Sequence, residues 1–203
     1  MNKASGSDPT LALIGANALT LAFALALDWS AGMLLWPYFL QNLVIGWYAT
    51  KRMGALRRFS TEGFTSNDQP VPENREGKRS TVNFFVLHFG LFHLFYLVFL
   101  CAMAPFRGML DFLLILAGGV SFVFAQRKTC AAQIEADAQG RPNLGAMMFM
   151  PYMRVLPIHI AIAFGAIALG TAGTIGFVVL KTLADIGLDR IDRRIAEQAI
   201  ADA

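Results

Sequence analysis

Charge is scarce in this chain. Asp, Glu, Lys and Arg make up 15% of the 203 residues, whereas a soluble domain carries about 25%, which excludes an ordinary soluble globule. Cysteine is scarcer still. Cys101 and Cys130 are the two, and the topology argued below puts them on opposite sides of a membrane, so they form no disulfide framework. Histidine occurs three times. No phosphate-binding glycine loop, no HExxH and no paired-cysteine metal motif is present. Ser121 lies in Gly119-Val120-Ser121-Phe122, which lacks the second glycine of a serine nucleophile motif. A net charge of +3 and a pI of 9.1 are compatible with nucleic-acid binding by number alone. The basic residues, however, fall in the gaps between apolar blocks, where membrane topology wants them, so nucleic acid is excluded as a partner.

Apolar residues are abundant, at 56% of the chain with a mean hydropathy of +0.51, and they come in blocks of about the 20 residues that a membrane crossing needs. The expected fold is all-α, a polytopic membrane helix bundle with six transmembrane helices in one integral membrane domain, residues 1–203. The spans are placed at about 9–27, 31–50, 81–104, 109–125, 147–169 and 174–190. The first reads as a span and not as a cleaved signal peptide, since it exceeds a usual h-region and another span follows at once. Cytoplasmic loops are expected at 51–80 and 126–146. The first is read as mobile around Asn67–Asn74, where Pro70 and Pro72 interrupt helix. The second carries a short surface helix at Cys130–Ala138. A turn is expected at Thr171–Gly173, and residues 191–203 form a charged tail that begins as helix through DRIDRRIAEQ. Pro37 is expected to kink the second span, and Pro151 and Pro157 to kink or interrupt the fifth. With both termini in the cytoplasm, all 17 Lys and Arg except Arg107 fall on or near the inner side, as the positive-inside rule requires. The partners so implied are the lipid bilayer and anionic headgroups near Lys51–Arg58 and Arg75–Arg79.

Counting rise along each span at about 1.5 Å per residue brings polar residues to one depth. His88, His159, Gln41, Asn42 and Lys181 fall near a common plane, Asp185 lies one turn towards the cytoplasm, and Asn17 is the contribution of the first span. Gly118 and Gly119 allow a neighbouring backbone or a ligand to come close. Ionisable groups at such depth are functional candidates by default. His88 and His93 are five residues apart, about 140° around a helix, so they do not share a face. His88 facing His159 is the easier pair, with His93 pointing elsewhere, and His88 and His159 are the candidate metal ligands. A single membrane-embedded histidine is also explained by an interhelical hydrogen bond. Lys181 and Asp185 stand at i, i+4, either as a buried pair or with the lysine snorkelling inward. Arg154 is either a border residue that captures lipid phosphate or, if deeper, an anion site inside the bundle.

Four stretches, QNLVIGWY, HFGLFHLFYLVFL, PYMRVLPIHIAI and LKTLAD, resemble an uncharacterised family of multi-pass bacterial membrane proteins, known only as a domain of unknown function, with HFGxFH and PYxRxxPxH signatures. The resemblance implies a bacterial inner-membrane location and no known activity. It also implies an acidic residue where this chain has Gln41, and a histidine where it has Asp189.

Three functions stay open at this point. The first is small-solute or ion binding and transport through a polar cavity. The second is a membrane-embedded enzyme with a His-centred site, with or without a metal. The third is a b-type haem protein with His88 and His159 as axial ligands.

Overall fold

Helix ends in this chain are set by caps and by proline and glycine, not by where the apolar runs stop. The computed structural model describes residues 9–163 and 170–201. Among these, six helices follow in order: α1 Pro9–Ala26, α2 Ala31–Ala55, α3 Arg75–Met103, α4 Met109–Gln139, α5 Leu144–Ala163 and α6 Gly170–Ala201. A two-stranded hairpin, β1 Thr65–Ser66 and β2 Gln69–Pro70, lies between α2 and α3.

Pro9 opens α1 at the first helical position, where its missing N–H is no loss. Ser30 caps α2 by accepting from the Met33 N–H at 3.3 Å, and Asn74 caps α3 by accepting from the Gly77 N–H at 2.9 Å. Asn143 accepts from the Ala146 N–H at 3.0 Å and starts α5. Each cap satisfies a backbone donor that the helix itself leaves open.

Four expectations need correction. The helix of span 4 does not end at Ala125 with a separate surface helix after it. It runs unbroken to Gln139, because a change from apolar to polar residues does not end a helix, and Gln126–Gln139 holds no glycine or proline. Its 31 residues span about 46 Å, well beyond a hydrocarbon core of about 30 Å. Thr171–Gly173 is not a turn, since α6 is already under way there and continues through the charged tail to Ala201. Pro151 and Pro157 both lie inside α5 without interrupting it. The Asn67–Asn74 stretch is free of helix, as expected, but its first half is an ordered hairpin and only 71–74 lie outside regular structure. Asn67 and Asp68 take φ of 51° and 59° between the paired strands, with Ser66 opposite Gln69 and Thr65 opposite Pro70. Two positive φ values at the centre of a two-residue loop match the twist of a hairpin.

The packing centre is α2, which touches α3, α4, α5 and α6, while α1 lies against α6. Two glycines permit the close approaches. A Cβ on Gly46 would collide with the Phe89 ring of α3, and one on Gly119 would lie 2.8 Å from Leu40 Cδ1 of α2. Gly118, its neighbour, has open space around it.

The two ends of the bundle are tied by polar contacts. At the end away from the hairpin, Trp29 donates to Asp111 at 2.9 Å, and Arg107 bonds Asp111 and the carbonyls of Leu27 and Asp28. At the hairpin end, Arg52 grips Asp137 through two bonds of 2.5 and 3.0 Å, joining α2 to α4. Lys78 donates to the carbonyls of Gly54 and Leu56 and so closes the C-terminus of α2.

Large apolar side chains remain on the outside, among them Leu87, Phe95 and Val98 of α3 and Leu110 and Phe124 of α4. The segments Arg75–Met103, Met109–Gln139 and Thr171–Ile191 are long and apolar enough to cross a membrane. An apolar exterior on helices whose backbone is satisfied internally is the architecture that lipid selects, and it marks the chain as a membrane protein.

Candidate functional site

On α6, Thr174, Phe177, Val178, Lys181, Asp185 and Leu188 are buried, while Ile175, Val179 and Leu183 are exposed. The buried set recurs every three or four residues, so one face of the helix turns inward. That face carries Lys181 at 1% exposure and Asp185 at 3%, which makes the ammonium an interior group and not a snorkelling one. Lys181 Nζ donates to Asp185 Oδ2. It also lies 5.1 Å from the centre of the Tyr38 ring on α2, within range of a cation–π attraction. Tyr38 meets the Phe177 ring edge to face at 5.2 Å, which fixes it against α6.

Arg154 of α5 is the third charged member. Its Nη1 is 4.0 Å from Asp185 Oδ1, too long for a hydrogen bond, and the side chain is partly buried at 19% exposure. One turn from Tyr38 along α2 sits Asn42, 1% exposed, and Gln41 beside it is half-buried. Asn17 of α1 is buried at 4%.

The centre is polar but unsatisfied. Among the described residues, Asp185 Oδ1, the Tyr38 hydroxyl, both amide atoms of Asn42 and Asn17 Nδ2 are buried without a hydrogen-bond partner. A buried polar group left unmade costs about 1–3 kcal/mol, and native structures meet such groups with water, an ion or a ligand.

The histidines are arranged differently from the expectation. The buried stripe of α3 is Gly77, Thr81, Phe85, Phe89, His93, Tyr96 and Leu100. His93 belongs to it, at 3% exposure, with Nδ1 donating to the Phe89 carbonyl at 2.8 Å and its ring tilted against Phe89 at 4.1 Å and Phe39 at 5.8 Å. His88 lies on the exposed side of α3, stacked on Phe84 at 5.3 Å and 2.9 Å from the Tyr152 hydroxyl through Nδ1. The two rings do lie on different faces of α3, but the one turned inward is His93. The stripe at 81, 85, 89, 93, 96 and 100 was the available signal. His159 lies in α5, and its side chain, with the expected His88–His159 pairing, falls outside the described residues. Among the described residues no group of three or more His, Cys, Asp and Glu could hold a metal ion.

Asp189, where the resemblance implies histidine, pairs with Arg193 one turn along the exposed surface of α6. Tyr38 was missed by sequence reasoning. Its place four residues before Asn42 puts both on one face of α2, and that spacing was legible.

The model of a family described as a family of unknown function (DUF6498) matches residues 1–202. No curated protein and no solved structure matches the chain.

Proposed function

We propose, for a chain that belongs to the DUF6498 family and inherits no activity from it, that the polar centre between α2, α5 and α6 binds a small solute or ion and carries it across the membrane. The supporting observation is the set of buried, unpartnered polar atoms on Tyr38, Asn42 and Asp185. A folded membrane protein keeps such groups when something else completes them. In this reading all six helices cross a bacterial inner membrane and both termini face the cytoplasm. The hairpin then lies on the cytoplasmic side, and Lys51–Arg58 and Arg75–Arg79 meet anionic headgroups there. The Lys and Arg distribution supports this orientation.

Thermal unfolding of the purified protein in detergent tests the site. One class of small solute or ion should raise the Tm of the wild type, and Asn42→Leu should fold normally and lose that shift. If no inorganic ion, amino acid, organic acid or sugar stabilises the wild type, or if Asn42→Leu responds equally, the centre is not a solute site. A reporter active only outside the cytoplasm should be silent after Ala203 and active within 105–108; activity at Ala203 would invert the topology.

A further inference from the structure

Resting on the reading of the centre as a solute site, we propose that its ligand presents an oxyanion, a carboxylate or phosphate group, and that Arg154 is the residue that grips it. Lys181 and Asp185 bond each other and form a neutral unit. Arg154 is then the extra charge. A guanidinium stays protonated at any physiological pH, so this one cannot relieve its burial by losing a proton. Its approach to Asp185 is the 4.0 Å contact, and Asp185 is already neutralised by the ammonium. Among the described residues the planar fork of Arg154 therefore keeps its donors available.

The fork matches the two oxygens of a carboxylate or phosphate. A monoanion there balances the charge of the three-residue group. The unpartnered Tyr38 hydroxyl and Asn42 amide on the facing helix offer donors to the remainder of the ligand. A cation fits poorly, because it would add to a group already carrying one surplus positive charge. A free oxyanion and a lipid headgroup phosphate present the same chemistry to Arg154, so they must be separated by experiment.

Purified wild type, Arg154→Gln, Arg154→Lys and Asn42→Leu are titrated with sodium phosphate and sodium acetate against sodium chloride at constant ionic strength, with Tm and calorimetric affinity as readouts. The same proteins are placed in nanodiscs of phosphatidylglycerol or phosphatidylcholine. The expected result is oxyanion binding by the wild type that falls about tenfold or more in Arg154→Gln, the range for a hydrogen bond to a charged group. Arg154→Lys should fall between, since it keeps charge and loses the fork. If Arg154→Gln does not fold, Arg154→Lys carries the test, and wild-type affinity in it overturns the proposal. An Arg154-dependent response to phosphatidylglycerol with none to free oxyanions upholds the oxyanion chemistry and overturns the solute reading. Stabilisation by a cation or neutral solute that needs Asn42 and is unchanged in Arg154→Gln overturns the oxyanion and leaves the solute site standing. No response in any arm overturns both.

Discussion

The hairpin end and the middle of the bundle use similar polar side chains to opposite effect. At the hairpin, Thr61 takes both Val71 O, at 2.6 Å, and Glu73 Oε1, at 3.0 Å through its N–H, while Glu73 also binds Arg141. Asn143 caps α5 and donates to the Glu62 carbonyl at 2.9 Å. Ser60 pairs with the chain at the start of α5, its N–H donating to Pro142 O and its carbonyl accepting from the Leu144 N–H. No buried side-chain atom of this region lacks a partner among the described residues. In the middle, Tyr38, Asn42 and Asp185 all leave atoms open. Buried polar groups fully satisfied lock one arrangement, while partly satisfied ones are kept at a cost. The first pattern belongs to a structural clamp. The second belongs to a site that is completed by something else.

Breaking the one strong bond of the middle should have the largest effect. Lys181→Met leaves Asp185 as a buried acid without its counter-ion, and removing one partner of a buried pair costs about 3–5 kcal/mol. Yield and Tm in detergent should drop sharply. Adding Asp185→Leu should restore both, because replacing the whole pair by apolar side chains is often neutral. A single variant as stable as wild type would mean that Asp185 does not depend on Lys181.

The contrast between the regions is sharpened by removing one polar side chain from each. Thr61→Val deletes the hydroxyl that serves the Val71 carbonyl and should cost about 1–3 kcal/mol. Asn42→Leu deletes two atoms that already lack partners, so in the absence of ligand it should be neutral or raise Tm. If Asn42→Leu destabilises as much as Thr61→Val in ligand-free detergent, the amide is satisfied and the two regions are alike.

How much of this was legible follows from what each signal depends on. Helix number and order come from apolar blocks, and these are set by composition alone. Helix ends were less legible. The polar end of α4 was read as a break because it leaves the bilayer, yet nothing in Gln126–Gln139 opposes helix, whereas the charged end of α6 was read as helical and is. The hairpin was hidden because its strands are two residues long, and its turn uses Asn-Asp where the strong signal is Asn-Gly. Lys181 and Asp185 were legible from their i, i+4 spacing. His88 and His93 were not placed correctly from depth, because depth along a helix says nothing about azimuth. Azimuth required the stripe of α3, in which Phe85 and Phe89 carry His93 inward.

The smallest effect expected is a pH dependence at the hairpin. The Glu73 carboxylate accepts from the Thr61 N–H and, second, from Arg141, and both hold it below its ordinary value of 4.5. A folded-state pKa lower than the unfolded one means that the unfolded chain takes up the proton first as pH falls. The contribution of Glu73 is therefore complete above the ordinary value, shrinks below it, and is gone once pH passes through the lowered value. Because the group is solvent-exposed, screening keeps the effect small. Limited proteolysis of the 57–74 segment between pH 7 and pH 3 reads it directly. Cleavage in the wild type should rise only below the ordinary glutamate range, with a protease active across that interval. In Glu73→Gln the segment should be cut faster at neutral pH, and its rate should change less on acidification. A wild-type segment that loosens near pH 6 would point to another group. A Glu73→Gln variant with the wild-type pH profile would show that the carboxylate does not hold the clamp.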